Sequence, residues 1–358
     1  MAYANKRACE EAAGRIVACM LKGRPGDWGM DIDSWDWNPG VSLIALLDHA
    51  ECTRNSELLE EVIRWTERNR LRADRHRAVN AMAPFAIYPG LYERTGDSYF
   101  MQHAVEIGDW MLTEAPRTKI GAFEHTVTES EEFAEQVWAD TVFMAVLFLA
   151  RLARATANKK YGEEALLQLR LHYRLLQDEE TGVLFHGWDC ARNNPMSAAR
   201  WGRANAWIAL ATPWILEELD GMAVASKEAA AFLVERCRVL LQGLKSCQSE
   251  NGLWPVVVNR PEFRPEMSGS AGIACGFVKA AKLGWVGADY RAAADLTLER
   301  LLGAIDVDGC VGGVSGGTPV LPTEEAYNAF EVRPTLYGQG LALLLLNEYL
   351  RGQEVMKM

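Results

Sequence analysis

Asp140 is a carboxylate carried into an apolar run. In EQVWADTVFM, residues 135–144, the chain turns apolar and stays so through Leu152. At helical spacing Asp140 shares a face with Met144, Leu147 and Arg151, so that face is expected to be buried. A first-turn carboxylate favoured by the helix dipole is the plain alternative. Four other stretches hold polar residues that could work beside it: Asn80 in RAVNAMAPF (77–85), His125 in GAFEHTV (121–127), His186 in LFHGWD (184–189), and Arg203 with Trp207 in WGRANAWIALA (201–211). Each has an ordinary reading by itself. Asn80 fits a helix cap, the histidines fit loop positions with local hydrogen bonds, and the tryptophans fit a core. Together they are a proton-transfer group, two imidazoles and a guanidinium among aromatic rings. The sequence has twelve tryptophans, and Trp28, Trp35, Trp37, Trp138, Trp188, Trp201 and Trp207 could offer the flat faces on which sugars stack.

The elements that must position these residues are helices. Helical periodicity recurs through the chain and predicts helices at 5–22, 40–53, 57–72, 82–95, 98–114, 134–154, 160–176, 203–219, 227–247, 269–283, 289–303 and 335–350. Alternating strand-like segments are scarce, the best being 253–258. The class is all-α, in one domain spanning 1–358. Twelve helices suit a toroid of paired helices, an α/α barrel, with an open α-solenoid as the structural competitor. Three connections are long enough to expect a function: 115–133, 177–202 and 306–334. The first two carry His125 and His186 and lead to the openings that hold Asp140 and Arg203. In a barrel alternate loops lie on one rim, which is the expected mouth of the site.

Composition narrows the partners. The chain has 358 residues, 49% of them hydrophobic and 24% charged, as an ordinary globular protein does. A net charge of −11 and the absence of a basic stripe argue against nucleic acid. No run is apolar enough for a membrane span, and the first twenty residues read as an amphipathic helix, so a cytoplasmic protein is expected. The eight cysteines form no CxxC and no cluster with histidine, so neither a zinc site nor a redox pair is signalled, and no metal or cofactor is expected. An anionic substrate would need locally placed Arg or His to offset the net charge.

The ordered set of VNAMAP, LYERTGDSYF (91–100), VWADTVFMAVLFLA, HGWD, WGRANAW and PEMSGSAGIACGFVKAAKLGW (265–285) resembles the unsaturated rhamnogalacturonyl hydrolases of glycoside hydrolase family 105, related to the unsaturated glucuronyl hydrolases of family 88. The resemblance covers most of the chain. It implies an (α/α)6 barrel that hydrolyses oligosaccharides with a 4,5-unsaturated uronic acid at the non-reducing end, as in pectin degradation, without a cofactor. It also implies Asp140 as general acid and base, with His125, His186, Arg203 and Trp207 lining the substrate site beside Asn80 and Trp138. Some relatives have aspartate where this chain has Asn80, which leaves that position a hydrogen-bonding partner only.

One carboxylate suffices for such a reaction, because hydrating a vinyl ether needs a single group that gives and takes a proton. The scheme requires Asp140 to hold a proton near neutral pH, and its apolar face together with the substrate carboxylate is expected to raise its pKa. Arg203 is expected to grip that substrate carboxylate through both arms of its fork. The competing readings are a sugar epimerase, a two-carboxylate inverting glycosidase drawing its second carboxylate from Asp31, Asp33, Asp36, Asp189 or Glu266, and a sugar-binding protein without turnover.

Overall fold

The structure is a computed structural model that describes residues 2–73, 75, 77–126 and 133–351. Part of the 115–133 connection, residues 127–132, lies outside the described residues. Six helices bury most of the residues they contain: α2 (Trp37–Thr53), α4 (Asn80–Ile87 continued by Tyr88–Thr95), α6 (Val142–Val146 continued by Leu147–Thr156), α8 (Gly202–Glu218), α10 (Met267–Lys282) and α13 (Leu336–Arg351). A helix that is apolar all round must be enclosed by others. Each of these touches the next in the order α2, α4, α6, α8, α10, α13, and α13 returns to α2, which closes the ring.

The alternating helices are amphipathic and form an outer layer. α3 (Ser56–Ala73) buries only Leu58, Val62, Trp65, Thr66, Asn69 and Ala73, one stripe at helical spacing. It packs on α2, while α5 (Ser98–Thr113), α7 (Lys159–Leu176), α9 (Lys227–Ser246), α11 (Ala288–Ala304) and α1 (Ala2–Lys22) pack on α4, α6, α8, α10 and α13. Six helical pairs thus make the expected α/α barrel, and the ring closure removes the open solenoid. Small residues let the inner helices approach closely. A Cβ on Gly276 of α10 would stand 2.5 Å from the Ala209 carbonyl oxygen of α8, and one on Gly40 of α2 would meet Ala83 of α4 at 2.7 Å.

Several local expectations are corrected. Residues 134–138 are not helical: β1 (Gln136–Trp138) pairs antiparallel with β2 (Gly187–Asp189), which pairs with β3 (Asn194–Pro195). The alternation at 253–258 forms isolated bridges, Trp201 with Val257 and Pro255 with Pro265, rather than a strand. A short helix, α12 (Glu324–Ala329), lies inside the 306–334 connection. Cys19 and Cys310, 291 residues apart, bring their buried sulfurs to 3.1 Å, a pairing that spacing along the chain could not disclose.

The C-terminal ends of the inner helices converge on a cavity of about 430 Å³, lined by residues such as Glu51, Arg94, Arg154, Glu218, Lys279, Glu348 and Arg351. Cations in the last turns suit the negative ends of helix dipoles. Glu348, 3% exposed, is the hub, with Lys279 at 3.0 Å, Lys282 at 2.7 Å and Arg351 at 3.2 Å. Burial alone would push its carboxyl up, but these three cations pull it down from 4.5 to about 2. That difference corresponds to about 3 kcal/mol, present above the ordinary glutamate pKa and lost as pH falls toward 2. Glu348→Gln is expected to cost about 3–5 kcal/mol, since it strands buried positive charge. Thermal melts across pH check this. A variant that melts like the wild type at neutral pH would contradict it.

Candidate active site

The opposite rim gathers the N-terminal ends of the inner helices. A cavity of about 220 Å³ is lined there by Trp37 from the start of α2, Asn80 from α4, Asp140 ahead of the α6 segment and Arg203 from α8. Beneath it, Glu266 and Ser268 at the start of α10 and Tyr337 at the start of α13 surround the Arg203 guanidinium. Six helix N-termini and the buried Arg203 face this end, where Asp36 and Glu266 cap two of the helices and Asp140 lines the cavity. The N–H dipoles are backbone that no charge count along the sequence registers.

Asp140 is 8% exposed, and the apolar face expected for it is buried, with Met144 and Leu147 fully covered. A π turn at Val142–Val146 follows it immediately, a local widening that is frequent at functional sites. Trp207 Nε1–H donates to Asp140 Oδ1 at 3.1 Å. His186 Nε2 approaches Oδ2 to 3.3 Å, a close pairing that is not aligned as a full hydrogen bond, and neither atom has another partner. His186 itself is fully buried, and its Nδ1 lies 2.7 Å from the Tyr327 hydroxyl.

His125 stacks on Trp138 with ring centroids 3.9 Å apart and planes within 8°. Both residues are delivered by β1 and its surroundings, where His125 N–H donates to the Gln136 carbonyl at 2.8 Å. Asn80 does not cap a helix: its Oδ1 is buried with no hydrogen-bond partner, on a residue that lines the cavity. Its backbone N–H is held by the Thr126 carbonyl at 2.8 Å. An unpaired buried acceptor is costly unless a ligand completes it.

Arg203 departs from its expected use. Its Nη1 donates to Ser268 Oγ, Ser315 O and Ser315 Oγ, and its Nη2 to Gly316 O and Thr318 Oγ1, all at 2.9–3.3 Å. The guanidinium lies against the rings of Trp201 and Tyr337 and 3.7 Å from Glu266. The fork is committed to the 306–334 segment, and only Nε–H lacks a partner. Arg203 therefore supplies a fixed positive charge, not a free two-armed clamp.

The electrostatics also correct the expected pKa of Asp140. Burial pushes it up, but the His186 contact, the charges that His186 and His125 take up only in acid, and the fixed charge of Arg203 bring it below the ordinary aspartate value. Burial depresses both histidines as well, His125 to about 3, so they are neutral at neutral pH. In the free protein Asp140 is a carboxylate.

The proposed second carboxylates do not join it. Among the described residues Asp140 is the one carboxylate lining the cavity. Asp36 caps α2 and accepts from Trp28 Nε1, Glu266 caps α10, Asp33 pairs with Arg68, Asp31 accepts from Gly26 N–H, and Asp189 accepts from Ala191 and Arg192 N–H. Of the aromatic candidates, Trp28, Trp37, Trp138 and Trp201 line the cavity, while Trp35 stacks on Trp65 in the core. Tyr327, Ser315, Gly316 and Thr318 were not singled out by sequence reasoning. Their one signal was the length of the connection that carries them.

A six-pair α/α barrel with Asp140 as the one carboxylate among the described residues lining an aromatic-walled mouth suits a carbohydrate-active enzyme. Residues 9–353 match the model of Glycosyl Hydrolase Family 88, and the chain belongs to that family of glycoside hydrolases. It is 32% identical over 320 residues to the Unsaturated rhamnogalacturonyl hydrolase YesR of Bacillus subtilis, covering 89% of this chain and 90% of that protein. The crystal structure of a possible member of the GH105 family from Salmonella enterica serovar Paratyphi A superimposes with a TM-score of 0.91 at 28% identity, covering 97% of this chain and 94% of that one. The unsaturated glucuronyl hydrolase of Bacillus sp. GL1 shares the fold, with a TM-score of 0.74 at 17% identity over 95% and 96% of the two chains.

Proposed function

We propose that this glycoside hydrolase acts on oligosaccharides carrying a 4,5-unsaturated uronic acid at the non-reducing end, with Asp140 as sole general acid and base. The observation that carries the reading is that Asp140 is the one carboxylate among the described residues lining the cavity, contacted from the protein side by Trp207 and His186. Ordinary glycosidases need two carboxyl groups flanking the bond. Hydration of an enol ether needs one. The rhamnogalacturonyl name of the Bacillus subtilis relative supports the substrate class. A cytoplasmic location goes with the reading.

Substrate binding reconciles the depressed pKa with acid chemistry. A uronate carboxylate near the helix N-termini offsets the positive charge of Arg203, and a sugar ring between the tryptophans removes water from Asp140. Both changes favour the neutral acid. Protonated Asp140 then gives its proton to C4, and the C4=C5 π electrons form the new C–H bond, leaving an oxocarbenium at C5 that the carboxylate stabilises. Water adds at C5 while Asp140 takes its proton back. The hemiketal opens by cleavage of the bond from C5 to the ring oxygen, the C5 hydroxyl becoming a ketone and its proton passing to the ring oxygen. That oxygen, now a hydroxyl on C1, becomes the aldehyde as the C1–O bond to the next sugar breaks, and the remaining saccharide departs with the proton as an alcohol.

Unsaturated disaccharides prepared with pectin, glycosaminoglycan and ulvan lyases test this directly. Loss of the ultraviolet absorbance of the C4=C5 bond is expected with at least one of them, the rhamnogalacturonyl product foremost. No loss with any of the three would overturn the assignment.

A further inference from the structure

His186 can aim either a proton or a lone pair at Asp140, and which one it aims decides whether Asp140 keeps its own proton for the substrate. The answer is set on the far side of the imidazole ring. Tyr327 stands on α12, in the 306–334 connection, and is fully buried. Its hydroxyl oxygen receives the Leu321 N–H at 3.0 Å and lies 2.7 Å from His186 Nδ1. Ser197 makes a further side-chain hydrogen bond to the phenol. With the Leu321 N–H on one lone pair of the oxygen and the Ser197 hydroxyl, whose hydrogen bond favours the charged phenolate as a donor does, on the other, the phenol proton has His186 Nδ1 as its acceptor.

The geometry points to Tyr327 as a positioning residue that holds His186 in the Nε2–H tautomer, so that both protein-side neighbours of Asp140 are donors and its proton can sit only on the cavity side. The inference rests on the reading of Asp140 as acid and base. Trp207 donates whatever the pH, because an indole N–H has no acceptor form. His186 would be ambiguous without Tyr327, since a neutral imidazole carries one donor and one acceptor. In the Nδ1–H form its Nε2 lone pair would face Oδ2 at 3.3 Å and draw the acid proton away from C4. Burial keeps the ring neutral, which leaves the tautomer as the one variable. The titratable and charged groups around the pair are His125, Arg203 and Tyr327, with Glu266 behind Arg203. None of His125, Arg203 and Glu266 forms a hydrogen bond to His186 Nδ1.

Tyr327→Phe removes one oxygen and keeps the ring. Protein with ring-15N histidine is compared with the variant by NMR, His186 being assigned through its loss in His186→Gln. The wild type is expected to show a protonated Nε2 and a bare Nδ1, and the variant a mixture of tautomers. On the unsaturated disaccharide that the wild type consumes, the variant is expected to lose at least about tenfold in kcat with KM changed less than about twofold. The basic limb of its pH profile should move to higher pH, because Asp140 loses a donor that favours its charged form. A merely structural role would lower the melting temperature and leave tautomer and limb where they were. A wild-type proton on Nδ1, or a variant with unchanged tautomer and limb, overturns the inference. If the variant does not fold, the wild-type spectrum alone decides the tautomer. If the wild type consumes none of the three disaccharides, the functional reading falls while that spectrum still decides the positioning.

Discussion

Asp140→Asn is expected to lower turnover by at least about 10²–10⁴-fold, the usual contribution of one positioned proton-transfer group, and by more if both transfers depend on it. The amide cannot protonate C4 and cannot accept the proton of water. It also faces two donors, Trp207 Nε1–H at 3.1 Å and His186 Nε2 at 3.3 Å, so one of them meets an NH₂ group instead of an oxygen. A modest fall in melting temperature should accompany the rate loss, since an unsatisfied buried donor costs about 1–3 kcal/mol. Substrate affinity should survive, because the aromatic walls and Arg203 are untouched. If Asp140 served only the helix dipole, the rate would hold and stability would shift by ~0.3–1 kcal/mol. Initial rates of absorbance loss, affinity and thermal midpoint on one sample separate the two. Retention of more than about a tenth of wild-type turnover is incompatible with a sole acid and base.

Arg203→Lys is expected to cost at least ~1–3 kcal/mol in transition-state stabilisation, through a different route from a lost clamp on the substrate. The ammonium keeps the charge but is a compact point. It cannot reach Ser315 and Gly316 at once while lying between the rings of Trp201 and Tyr337, as the planar guanidinium does. The segment that carries Thr318 and Tyr327 would lose its main tie to α8. Both kcat/KM and the thermal midpoint should fall, and the wild-type values of both would show that the tie is dispensable.

Much of the architecture follows from local chemistry. Continuous apolar runs such as 142–150 call for an enclosed helix, and one-stripe helices such as 56–73 can cover them. Their alternation makes six pairs, and the burial of Asp140 follows from its position one turn before Met144. Asn80, His125, Trp138, His186, Arg203 and Trp207 stand in five short stretches that are each ordinary alone, and it is the ordered resemblance to a family that joins them into one expected site. The strand at 136–138 was misread as helix because a three-residue strand has no period of its own, and its pairing partner lies fifty residues away at 187–189.

What only the tertiary structure decided is how each side chain is satisfied. The sequence holds an arginine that could grip a carboxylate, but the carbonyls that occupy its fork come from 315–316, more than a hundred residues on. It holds an aspartate on an apolar face, whose pKa should rise by burial. The helices of the barrel set His186, His125 and Arg203 around that carboxyl and reverse the sign. Helical periodicity reports which face is buried, because that depends on neighbours three and four residues away. Charge, tautomer and hydrogen-bond partners depend on groups brought from other helices and from the rim segment, and these distances exist only after the ring has closed.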